Sequence, residues 1–105
     1  WPDLPHVADN WMKSDWYGWM QDYGEWVWHL EHGWQTFVGN NNQSFYVYDR
    51  GIETWFYTNN ILYPSLYIFG TYAGWYQYNA GSIPGRRWFL RWDTEEWKRE
   101  SSFTR

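Results

Sequence analysis

Cysteine is absent from this 105-residue sequence, so it holds no disulfide framework and no thiolate metal site, and cysteine usage does not identify its redox compartment. Proline is scarce at 4 residues and methionine at 2. No apolar run approaches the ~20 residues of a membrane-spanning helix, so no span of that kind is expected. Catalytic signatures are missing as well: there is no Gly-x-Ser-x-Gly elbow, no Gly-rich phosphate loop and no His-Glu-x-x-His helix. Basic charge is also sparse, with 8 Lys and Arg against 12 Asp and Glu, a net charge of −4 and a pI near 5.2. That balance weighs against nucleic acid, whose backbone calls for a basic groove. Only the neighbourhood of Arg86, Arg87 and Arg91 would serve.

The charges are unevenly placed. Eight acids, from Asp3 to Glu53, lie in the first 53 residues, whereas Arg86, Arg87, Arg91, Lys98, Arg99 and Arg105 crowd the last 20. Two readings stand: attraction between the halves, within a molecule or head-to-tail, and ordinary solvated faces.

What the chain has in excess is rings. Twelve Trp, 10 Tyr and 6 Phe make up 27% of it. A domain of this length buries only about two-thirds of its unfolded surface, and each aromatic ring supplies roughly 150–250 Å² toward a core. One domain over residues 1–105, dense without disulfides, is therefore expected.

A unit of about 21 residues recurs. Trp26-Val27-Trp28 leads to Trp34, Phe45-Tyr46-Val47-Tyr48 to Trp55, Leu66-Tyr67-Ile68-Phe69 to Trp75, and Trp88-Phe89-Leu90-Arg91 to Trp97; the second-arm tryptophans are 21, 20 and 22 residues apart. Each unit has an aromatic and β-branched run, a short stretch bearing Gly, Asp or Thr, and a second aromatic run, which is a β-hairpin pattern. The expected turns are Glu31–Gly33, Asp49–Glu53, Gly70–Gly74 and Asp93–Glu96. A fifth, irregular unit opens at Asp15–Met20 and Tyr23, and residues 1–14 are expected to lie over the core as an arm or cap. Residues 98–105 read as a polar tail. The fold class expected is all-β: an antiparallel meander of about five hairpins over residues 15–97, closed into a barrel-like or sandwich form.

Strand alternation places Trp26 with Trp28, Tyr46 with Tyr48, Tyr67 with Phe69, and Tyr76 with Tyr78 on shared faces. The intervening Val27, Val47, Ile68 and Phe56 are apolar too. Both faces are thus hydrophobic, and one is left for closure, stacking or a partner.

Candidate chemistry is limited. His29-Leu30-Glu31-His32 is the only histidine cluster, and a stable zinc site needs three or four ligands, so the two rings are expected to be turn and edge residues rather than metal ligands. Asp15, Asp22 and Glu25 offer nearby carboxylates of the kind glycosidases pair, but 12 acids in 105 residues produce such pairs by accident. No catalytic residue, metal or cofactor is assigned, and the chain is not expected to be an enzyme.

Gly33-Trp34, Trp55-Phe56-Tyr57 and Gly74-Trp75-Tyr76-Gln77-Tyr78, recurring every ~20 residues, resemble the choline-binding and glucan-binding repeats of bacterial surface proteins. That resemblance implies ligand sites between successive hairpins, although the chain lacks that family's regular glycine spacing and recurring methionine. Trp26–His29, Glu31–Trp34, Tyr63–Tyr67 and Arg87–Phe89 resemble, in order, an uncharacterised tryptophan-rich module at the C-termini of bacterial secreted proteins. The likeness covers roughly residues 15–97 and implies no established function.

Non-catalytic recognition at the cell surface or in the secreted phase is expected, with carbohydrate the leading ligand. The opening at Trp1 rather than Met accords with a processed or excised chain. Candidate ligand-binding residues are Trp11, Trp19, Trp34, Trp55, Tyr72, Trp75 and Trp92 as stacking platforms, with Asn41 and Asn59 as hydrogen-bonding partners for hydroxyls. For each ring the competing assignment is core. The alternative function is a structural module that self-associates, or packs on a neighbouring domain, through its surplus aromatic face.

Overall fold

The computed structural model describes residues 4, 6–39 and 41–104. Eleven strands follow one another: β1 (His6–Ala8), β2 (Trp11–Ser14), β3 (Gly18–Asp22), β4 (Val27–His29), β5 (Gly33–Val38), β6 (Ser44–Asp49), β7 (Thr54–Asn59), β8 (Ser65–Ile68), β9 (Gly74–Tyr78), β10 (Trp88–Arg91) and β11 (Trp97–Arg99). They form one antiparallel meander in chain order, with β1 and β11 at its two ends. The sheet is not closed into a barrel. A single 3-10 segment, Glu100–Thr104, follows β11.

The four regular units are the hairpins β4–β5, β6–β7, β8–β9 and β10–β11. Each sets a first-arm residue opposite a second-arm tryptophan: Trp28 against Trp34, Tyr48 against Trp55, Tyr67 against Trp75, and Leu90 against Trp97. The 21-residue beat therefore marks one equivalent cross-strand position, which in every unit faces outward.

Side chains at the strand ends hold the turns. Oδ1 of Asp49 accepts from the backbone N–H of Gly51 and Ile52, Nδ1 of His29 from Glu31 and His32, and Oδ1 of Asn59 from Ile61 and Leu62. Each acceptor satisfies donors that a tight reversal takes out of the ladder.

Residues 6–14, expected as a capping arm, instead carry β1 and β2 and extend the sheet. Asp15–Tyr17, expected to be strand-like, form the β2–β3 turn, closed by Ser14 Oγ accepting from the N–H of Tyr17. The alternation in Trp-Met-Lys-Ser is too short to stand out in the sequence, yet it places Met12 and Ser14 inside. Trp1, Pro2 and Pro5 of the expected arm lie outside the described residues. The expected polar tail is strand and 3-10 turn, with Glu100 and Phe103 buried.

The sheet curls about its inner face. Neighbouring strands are consecutive, yet Arg87 of the β9–β10 loop bonds to Asp49, 38 residues back, and to His32, 55 back. The long axis measures 41 Å and the short ones 25 and 23 Å. Val27, Val47, Phe56, Leu66, Ile68, Tyr76, Tyr78 and Phe89 fill the interior. Trp28, Tyr46, Tyr48, Trp55, Tyr67, Phe69 and Trp75 stand on the outside, half-buried or exposed. The two apolar faces are thus sorted largely by size: a concave face has less room per residue, so much of it is compact aliphatics and phenyl rings, and the indoles project outward.

Candidate functional site

The outer face carries a run of rings joined from strand to strand. Trp26 meets Tyr48 at 6.3 Å between centroids, Tyr48 meets Trp55 at 5.5 Å, Tyr67 meets Phe69 at 5.1 Å and Trp75 at 5.4 Å, and Trp75 stacks on Trp92 at 5.7 Å. Backbone pairing bridges the row, since the N–H of Phe69 donates to the carbonyl of Trp55 and that of Trp92 to Trp75. Trp55 is 38% exposed, Phe69 39%, Trp75 36% and Trp92 49%. Most contacts are edge-on, while Trp75 and Trp92 lie within 25° of parallel. Edge-on rings hold one another upright and leave faces available, each pair contributing about 0.5–1.5 kcal/mol beyond its area.

Three of the expected platforms, Trp55, Trp75 and Trp92, fall on this row. Trp11 and Trp19 form a separate edge-to-face pair at 6.4 Å near the start of the sheet, with Lys13 Nζ 5.6 Å from the Trp19 ring. Trp34 is half-buried between Tyr23 and Trp28, at 5.3 and 5.1 Å. Tyr72 packs on the far side of the sheet against Phe103, with Lys98 Nζ 3.7 Å from its centroid. Asn41 is exposed and its Oδ1 accepts from the N–H of Gln43. Asn59 is half-buried, with Oδ1 on the turn and Nδ2 donating to the Tyr57 hydroxyl. Tyr67 and Phe69, expected from alternation to share a face but not named as candidate platforms, belong to the row as well. Their signal was present in the alternation around the buried Ile68.

A second assembly went unanticipated: a buried polar network beneath the turns. Arg87 donates to both oxygens of Asp49 at 2.7 Å and through Nε to Glu100 at 2.6 Å, and its Nη1 reaches Nδ1 of His32 at 2.8 Å. Gln35 donates to Asp49 at 2.7 Å and accepts from the Tyr17 hydroxyl at 2.6 Å. Because Arg87 only donates, His32 must accept at Nδ1 and donate from Nε2 to the Tyr63 oxygen, 2.7 Å away. His29 accepts two backbone N–H groups at Nδ1 and donates from Nε2 to the carbonyl of Tyr17 at 2.7 Å. All four imidazole nitrogens are committed. The rings lie 4.6 Å apart, converging where the sequence expected turn and edge residues.

Burial sets the protonation states. It pushes His29 down to about 4, against the opposing bond to the Tyr17 carbonyl and the charge of Glu31. Burial, with His29 and Arg87 adding repulsion, holds His32 well below the ordinary range. Desolvation, then Tyr63 and Asp49, pushes the Tyr17 hydroxyl well up. For Arg87 burial opposes the charge, but Asp49 and Glu100 outweigh it and the net shift is upward. Neutral imidazoles and an ionised Arg87 follow, with no buried side-chain polar atom unpartnered among the described residues. This network braces the curl: it ties β5, β6, the β9–β10 loop and the 3-10 segment together.

Comparisons of the chain with family models, curated proteins and solved structures find no match.

Proposed function

We propose that the chain is a non-catalytic binding module, acting in the secreted phase or at the cell surface, whose outer aromatic row stacks on carbohydrate. The observation that carries this reading is the set of exposed rings Trp55, Phe69, Trp75 and Trp92 on one face of neighbouring strands, linked by the backbone bond from Phe69 to Trp55 and by ring contacts from Phe69 through Tyr67 and Trp75 to Trp92. The C–H groups of a sugar face carry partial positive charge, which the electron-rich face of an indole or phenol attracts. Successive strands stand about 4.8 Å apart, so rings on neighbouring strands present platforms at a spacing comparable to that of linked sugar rings. The commitment of His29, His32, Asp49 and Glu100 to the internal network supports a binding rather than a catalytic role. We read the curl as a barrel-like wrapping closed by side chains, which holds the outer rings in fixed positions and limits the entropy lost on binding.

Tryptophan fluorescence titration against soluble and insoluble glycans tests the proposal. Saturable quenching or a blue shift that is lost in Trp75→Ala supports it. A flat response across the panel defeats it.

A further inference from the structure

The outer row reaches the last hairpin, where the charge pattern changes. Trp88 lies opposite Arg99 and Leu90 opposite Trp97, and Leu90 also lies opposite Gln77 of β9. The face bearing Trp75 therefore continues to the final strand. Among the described residues no strand lies beyond β11, and a cleft of about 860 Å³ runs along it, lined by Tyr72, Trp88, Arg91, Trp97, Lys98 and Arg99 among others.

The three cations of the cleft are not equivalent. Arg91 is committed, with Nε donating to Asp93 at 2.7 Å, Nη1 to the Tyr76 hydroxyl at 3.0 Å and Nη2 to the carbonyl of Ala73 at 2.9 Å. Lys98 and Arg99 have no carboxylate partner among the described residues. Lys98 Nζ instead stands over the rings of Tyr72 and Phe103, at 3.7 and 5.0 Å, and the Arg99 guanidinium over Trp88, at 5.5 Å. Of the two carboxylates lining the cleft, Asp93 is tied to Arg91, which leaves only Glu96 against two unpaired cations. Lys98 is partly desolvated beside Arg91, and both effects lower its pKa. An ammonium ion stripped of water next to a like charge is relieved by an anion. Lys98 pairs opposite Phe89, whereas Trp88 and Trp97, 39% and 55% exposed, lie on the other face of the hairpin with Arg99.

We propose that this cleft, at the open edge of β11, takes the carboxylate of an acidic saccharide, with Arg99 binding the acid group on the face where Trp88 and Trp97 supply the stacking surface, and Lys98 adding positive charge from the opposite face of the strand. The inference rests on the carbohydrate reading of the outer row and narrows its ligand to a uronic-acid glycan.

The test is a fluorescence titration of the full chain with a galacturonic-acid oligomer and with the neutral oligomer made from it by carboxyl reduction. At low salt the acidic oligomer is expected to bind roughly tenfold or more tighter, as charge-assisted hydrogen bonds warrant, and the preference is expected to shrink as salt screens the exposed cations. The double variant Lys98→Met, Arg99→Gln is expected to lose the preference and bind both oligomers alike. Should it fail to fold, the single variants carry the same test, each losing part of the preference. Equal wild-type affinity for the two oligomers, or a preference untouched by the variants, overturns the anionic site and leaves the carbohydrate reading standing. Silence toward both oligomers overturns the anionic site, while the carbohydrate reading falls only if the wider glycan panel is silent as well.

Discussion

Nη1 and Nη2 of Arg87 meet the two carboxylate oxygens of Asp49 at 2.7 Å each, fork to fork, with both side chains fully buried. Removing either partner strands a charge in the interior. Arg87→Met is expected to cost about 3–5 kcal/mol, read from the urea unfolding midpoint. Pairing it with Asp49→Asn should cost clearly less than the sum of the two single changes, because the second removes one of the two carboxylate charges, Asp49 and Glu100, that the first stranded. Arg87→Lys should also fail, since an ammonium ion cannot span Asp49, Glu100 and His32 at once.

Gly51 makes room for this network. A Cβ built there lands on the Glu100 carboxylate and the Arg87 guanidinium. Gly51→Ala is therefore expected to destabilise by about 1–3 kcal/mol through overpacking, whereas Gly39, whose Cβ meets nothing within 4 Å, should respond only to its positive φ of 86°. Thermal midpoints of the two variants make the comparison.

Acid should weaken the fold through His29 and His32. Both are held below the ordinary value of 6.5, His29 at about 4. Between those limits the unfolded chain binds protons that the native chain refuses, so stability rises with pH across the window and is lost as pH falls from 6.5 toward 4. For His29 alone the loss approaches about 3 kcal/mol. Urea midpoints at pH 7.5, 5.5 and 4.5 check the direction, and a midpoint constant over that range would contradict it.

Inner and outer rings should separate cleanly on substitution. Phe56→Ala empties a fully buried position and is expected to cost about 3–5 kcal/mol. Trp75→Ala removes a ring that is 36% exposed and should cost about 1 kcal/mol, mostly its contacts with Tyr67 and Trp92. If the binding proposal holds, the second variant loses the glycan response while keeping its fold. Chemical denaturation and fluorescence titration on the same preparations decide it.

The hairpins were legible because their signals are local. Period-2 alternation in Phe45–Tyr48 and Tyr76–Tyr78, with turn residues between runs, needs no knowledge of the rest of the chain. The first unit was misplaced for the same reason: β1 and β2 are only 3 and 4 residues long, too short for their alternation to register. Phe103 and Glu100 gave no local sign of burial, since both become interior only when the 3-10 segment folds back on β10 and the β9–β10 loop.

By itself the sequence determined the meander, its 21-residue beat and the existence of two apolar faces, since each is written in spacing and residue type over a few neighbours. Tertiary structure alone decided which face became the interior and which polar side chains met there. Val47 and Ile68 faced inward, and Trp55 and Trp75 outward, because curling gives the concave side less volume per residue. His32, Asp49 and Arg87, separated by up to 55 positions, became neighbours only when that curl closed over them.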